Sequence, residues 1–158
     1  AKRFTAAAHL VLGLSLAIAP VGAWVAVTGA FALPPVLLGL AVLFWVAGFD
    51  VIYSLQDLEF DRREGLRSIP ARFGAARALQ IARLFHGATL VLLYAVFLSV
   101  HGGWLFGAAV VVAGGFLVRQ HRLVSPSDLS RVDAAFFTAN GWLSVAVLVL
   151  GAADVFLR

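Results

Sequence analysis

The chain contains no cysteine, so neither a disulfide framework nor a thiolate metal site is open to it. Methionine is absent too, and the sequence opens on AKRFT, a polar scrap ahead of an apolar run that lacks a convincing signal cleavage site. The chain is therefore expected to be the back part of a larger protein. Charge is scarce: 13% of residues are Asp, Glu, Lys or Arg, against roughly a quarter in an ordinary soluble domain. None of these occurs between Phe4 and Phe49, between Leu84 and Val118, or between Ala134 and Ala153. Crossing the hydrocarbon layer takes about 20 apolar residues, so each of the first two runs is long enough for a helical hairpin. Period-2 alternation is also missing, which argues against strands. What is present instead is 62% hydrophobic residues and a mean hydropathy of +0.98. The bilayer is the expected solvent, and the expected fold is an all-α, polytopic transmembrane bundle.

Helix breakers divide the apolar runs. TGAFALPP at 28–35 interrupts the first and HGG at 101–103 the second, because Gly and Pro end helices. Five spans are expected, at about 7–28, 35–57, 75–100, 103–122 and 129–154. A short helix is expected between Pro70 and Gly74, and Ser125-Pro126 reads as the cap and first turn of the last span. No internal repeat, low-complexity tract or second domain is visible. The glycines at 102, 103, 107, 114 and 115 read as close helix packing.

The cations are unevenly placed. With alternating helices, Lys2, Arg3, Arg62, Arg63, Arg67, Arg72, Arg77, Arg119, Arg122 and Arg131 share one face, while the opposite connections carry neither Lys nor Arg and only Arg158 ends there. By the positive-inside rule the basic face is cytoplasmic, here on a bacterial inner membrane. Topology thus accounts for a pI near 10.7, and no nucleic-acid partner is expected.

The stretch DVIYSLQDLEFDRREGLRS, residues 50–68, breaks the apolar pattern. On one continuous helix Asp50, Tyr53, Asp57 and Asp61 would fall in a stripe roughly 80° wide. Asp57 and Asp61 form an i, i+4 pair of like charges, which needs a counter-charge from Arg63, Arg67 or a divalent cation. A solvated interfacial loop is the bland account of such residues. Two features weigh against it: the carboxylates share a face, and Asp50 lies deeper, where a carboxylate is costly and usually functional. Hard oxygen ligands without Cys or His favour Mg²⁺, and neighbouring guanidiniums suit phosphate. The expected chemistry is a diphosphate held through magnesium at the membrane edge.

Asp50, Tyr53, Asp57 and Asp61, followed by Gly65, Ser68 and Phe73-Gly74, resemble the second aspartate-rich motif of the UbiA superfamily of intramembrane aromatic prenyltransferases. KRFT at 2–5 resembles the end of the basic loop between that family's fourth and fifth helices. The likeness runs the length of the chain, as the last five of nine helices, and EGLRSIPARFG is most similar to the 4-hydroxybenzoate polyprenyltransferase branch. It implies Mg²⁺-dependent transfer of a polyprenyl group from polyprenyl diphosphate to an aromatic acid, in ubiquinone or menaquinone synthesis; a dihydroxynaphthoate acceptor is the alternative. It also implies that Asp57 and Asp61 hold the metal, and that Asp50 is a ligand or an orienter. Lys2 and Arg3, assisted by Arg63 and Arg67, would neutralise the diphosphate. Tyr53 would hydrogen-bond the substrate or face an allylic cation. The family's first motif, an Asn followed by two spaced Asp residues, is not in this sequence, so the chain alone is expected to be inactive.

Other residues read as structural. His9, His86, His101 and His121 have no zinc-like spacing, and His9 and His121 are expected at interfaces. Asn140 reads as an interhelical hydrogen bond and the four tryptophans as belt or packing residues. Two rivals remain: a non-catalytic membrane protein, and a phosphotransferase of the CDP-alcohol type. The latter needs DG in its acidic motif, whereas Leu58 follows Asp57.

Overall fold

The computed structural model describes residues 2–157. Five helices in it are long and apolar enough to span a bilayer. α1 covers Ala8–Thr28 and α2 Leu33–Tyr53; two short helices, α3 (Leu58–Arg63) and α4 (Ile69–Phe73), follow. α5 runs over Ala75–Ser99, α6 over Trp104–Arg122 and α7 over Ala139–Phe156, the last entered through a π-helical turn at Ala134–Thr138. The described residues contain no strand, only an isolated bridge between Ser125 and Asp128.

α2 is the central element, packed on α1 and α5. Backbones touch where glycine allows it: a Cβ on Gly13 would strike the Leu43 carbonyl, and one on Gly39 would lie 2.7 Å from the Ala17 oxygen. This is the small-residue packing of membrane helices, and it holds for only part of the glycines expected: a Cβ on Gly102 would strike the Phe97 ring and one on Gly103 the Asp154 carboxylate, whereas Gly107 and Gly114 have room for a methyl group and Gly115 faces open space. Two apolar cores follow. One, built on Val51, Ile52, Leu55, Leu79, Val132 and Ala135, sits beneath the acidic stretch; the other gathers Ala41, Leu93, Ala113, Leu117 and Leu143 at mid-bundle. Outward-facing residues such as Ile18, Val91, Val111 and Leu148 stay exposed, as expected where lipid is the solvent. The protein is an integral membrane protein.

Polar side chains tie the bundle internally. Trp45 Nε1 donates to Asn140 Oδ1 at 3.1 Å, the interhelical bond expected of Asn140. His86 Nδ1 meets His121 Nε2 at 2.9 Å across α5 and α6. Asp154, buried near the end of α7, accepts from the Gly103 and Phe106 N–H groups at 2.9 and 3.1 Å and so caps α6 from a neighbouring helix. No short-range signal reveals that cap, but a lone carboxylate in an apolar run hints at one.

Two expected boundaries move. Ser125-Pro126 does not start the last helix. Ser125 and Asp128 bond one another in a turn, and the Ser130 hydroxyl and N–H donate to Asp128, holding its carboxyl below the usual aspartate range. The second span ends at Tyr53, not near 57. Ser54 donates its hydroxyl to the Val51 carbonyl at 2.9 Å, and residues 55–58 bond i to i−3. At three residues per turn such a segment advances about 20° per residue more than an α-helix, so four residues rotate the chain by about 80°. The single carboxylate stripe is thereby divided.

Candidate active site

Asp57 precedes α3 and Asp61 lies within it, one turn apart, and both reach the same cation. Lys2 Nζ stands 3.4 Å from Asp57 Oδ2 and 3.3 Å from Asp61 Oδ2. The Asp57 side chain is 52% exposed and that of Asp61 2%, so the pair joins a wet edge to a buried floor. Lys2 is held in place by its backbone: the Arg67 N–H donates to the Lys2 carbonyl at 2.7 Å, and the Arg67 guanidinium donates to the Phe4 carbonyl at 3.2 Å.

The counter-charge therefore comes from Lys2 and not from the arginines. Arg63 turns its Nε to the Glu59 carbonyl at 3.4 Å, and Arg67 is engaged with main chain. Arg3 is exposed on the turn before α1. All of these cations lie close in sequence or space to the carboxylates, but Lys2 alone among the described residues is bridged to both.

Asp50, on the last turn of α2, has a different partner. His9 Nδ1 lies 2.6 Å from Asp50 Oδ2, and the Ile69 N–H approaches His9 Nε2 at 3.4 Å. His9, in the first turn of α1, is wholly buried against α2 and α4. Tyr53 turns toward the π-helical turn, where its ring centroid lies 4.3 Å from that of Phe136 and 6.3 Å from that of Phe137. The structure thus groups Asp57, Asp61 and Lys2, pairs Asp50 with His9, and sets Tyr53 in an aromatic run that continues through Phe49 to Trp45. No group of three or more His, Asp or Glu side chains placed to hold a metal occurs among the described residues.

Beyond Trp45 lies a half-open apolar cleft of ≈ 550 Å³, lined by Leu38, Ala41, Trp45, Leu93, Leu117 and Leu143 and reaching the outward-facing Leu148. The polar edge and the apolar cleft are thus consecutive along α2.

Comparison with known proteins bears on this arrangement. Residues 1–150 match the profile of the UbiA prenyltransferase family. A 4-hydroxybenzoate octaprenyltransferase of Ectopseudomonas mendocina is 33% identical over 99% of this chain and 52% of its own length; one from Francisella tularensis subsp. novicida is 28% identical over 94% and 52%. The apo structure of a UbiA homolog from Aeropyrum pernix superposes with a TM-score of 0.84 at 31% identity, covering 98% of this chain and 57% of that one. The chain spans about half the length of the curated relatives it matches.

Proposed function

The chain belongs to the UbiA prenyltransferase family, and from that premise we propose that the protein carrying it transfers a polyprenyl group from polyprenyl diphosphate to an aromatic acid of the 4-hydroxybenzoate type, in quinone synthesis, with Mg²⁺ as cofactor. The observation that carries this reading is the convergence of Asp57 and Asp61 on one cation. Lys2 Nζ shows that a cation is accommodated between them, and two carboxylates with one open side would suit Mg²⁺, whose preferred shell leaves room for water and substrate phosphate. Asp57 and Asp61 would hold it. When bound, the ion would neutralise the charge of the departing diphosphate.

The chain's own residues supply the rest. Lys2, freed from the carboxylates, and Arg3 beside it add positive charge for the diphosphate, with Arg63 and Arg67 on the rim. The apolar cleft beside Trp45 suits an isoprenoid tail, and its apolar walls offer no polar group to hold water near an allylic carbon. Tyr53 and its aromatic neighbours offer ring faces near that path. The basic face carrying this machinery is cytoplasmic. The chain spans about half the length of its curated relatives, so the activity proposed is that of the whole protein.

The test is a product assay on the full-length protein with a polyprenyl diphosphate and 4-hydroxybenzoate. Asp57→Ala and Asp61→Ala should each lower turnover by about 100-fold or more, the scale of a lost transition-state charge contact. Undiminished turnover in both would sink the assignment.

A further inference from the structure

We propose that His9 is the positioning residue for Asp50: it holds one carboxylate oxygen so that the other is presented to the reacting groups. This rests on the reading above, in which the acidic edge faces substrate.

The hydrogen-bond geometry assigns the roles. A backbone N–H can only donate, so His9 Nε2, facing the Ile69 N–H, must be the acceptor. The ring proton then resides on Nδ1, which donates to Asp50 Oδ2 at 2.6 Å. Both ring nitrogens are thereby used, and the imidazole cannot flip without breaking both bonds. Among the described residues no donor engages Asp50 Oδ1, and the carboxylate remains 23% exposed. One oxygen is tied and the other is available.

A tie between helices alone would not need an imidazole. α1 and α2 already pack closely along their length, and Gly13 and Gly39 bring the backbones together without help. A wholly buried histidine in a membrane span carries a desolvation cost that packing does not require. His9 also sits seven residues after Lys2, which bridges Asp57 and Asp61. The single segment 2–9 therefore contacts all three carboxylates, so placing Asp50 relative to the other two is a task that segment is built to perform.

Kinetics on the full-length protein separate positioning from support. His9→Leu, which keeps the volume and loses the donor, should lower kcat by about 10- to 100-fold, the range for groups that orient a functional ligand, with KM for prenyl diphosphate nearly unchanged. His9→Gln, which keeps a side-chain N–H, should recover most of that loss. In an Asp50→Ala background His9→Leu should cost nothing more, because the two act as a unit. Multiplying losses in the double variant, failure of Gln to rescue, or losses that merely track the folded fraction would overturn the proposal. A silent His9→Leu in an active protein removes this inference alone; absence of prenyl transfer by the unmodified protein removes the functional reading and this one with it.

Discussion

At the scale of single residues, the acidic stretch works by sharing one cation between two carboxylates of unlike exposure. Asp61 is buried and Asp57 half open, so the Lys2 ammonium lowers a repulsion that would otherwise strain α3. The proposed chemistry asks Lys2 to move from carboxylate to phosphate. Lys2→Gln is therefore expected to raise KM for prenyl diphosphate by about 10-fold, one charge-assisted contact's worth. Arg122→Gln, exposed in the last turn of α6 and given no part at the site, should change KM little. Steady-state kinetics with both variants make the comparison. The carboxylates were legible in the sequence because charge stands out against an apolar background. Their partners were not: Lys2 and His9 lie tens of residues upstream, and no local spacing connects them to Asp61 or Asp50.

At the scale of elements, the instructive difference is the end of α2. The pattern of Asp50, Tyr53, Asp57 and Asp61 fits one helical face, yet Ser54 takes a main-chain carbonyl and the next turn tightens. Asp50 is thereby aimed at α1 while Asp57 and Asp61 face the N-terminal segment. Helix contacts show a similar gap between composition and placement. Of the glycines at 102–115 only Gly102 and Gly103 are tightly packed, against side chains, whereas glycine meets a neighbouring helix backbone at Gly13 and Gly39. Gly13→Val is expected to destabilise the protein by about 1–3 kcal/mol through overpacking against the Leu43 carbonyl. Gly115→Val, which meets open space, should be nearly neutral. Thermal unfolding in detergent, following the shift in Tm, distinguishes the two.

For the whole molecule, charge asymmetry and the position of the site make one claim. The face that bears Lys2, the acidic stretch and the loop around Ser127 is the basic one, and the proposal, from the positive-inside rule, is that it faces the cytoplasm. A cysteine-free chain makes the check simple. In intact cells an impermeant thiol reagent should label Ala30→Cys, on the opposite connection, and reach Ser127→Cys only after permeabilisation. Labelling in the reverse order would overturn that orientation and the proposed placement of the site with it.

Membrane residence, the helix count and the identity of the acidic residues came from composition and run length, since a bilayer imposes apolar stretches about 20 residues long and penalises every charge within them. Which carboxylate meets which partner required folding. Lys2 with Asp57 and Asp61, His9 with Asp50, and Asp154 with the start of α6 are contacts between segments remote in sequence, set by helix phase and by where backbones can approach. A tightened turn of four residues redirects a side chain by most of a right angle, and nothing in the one-dimensional pattern announces it.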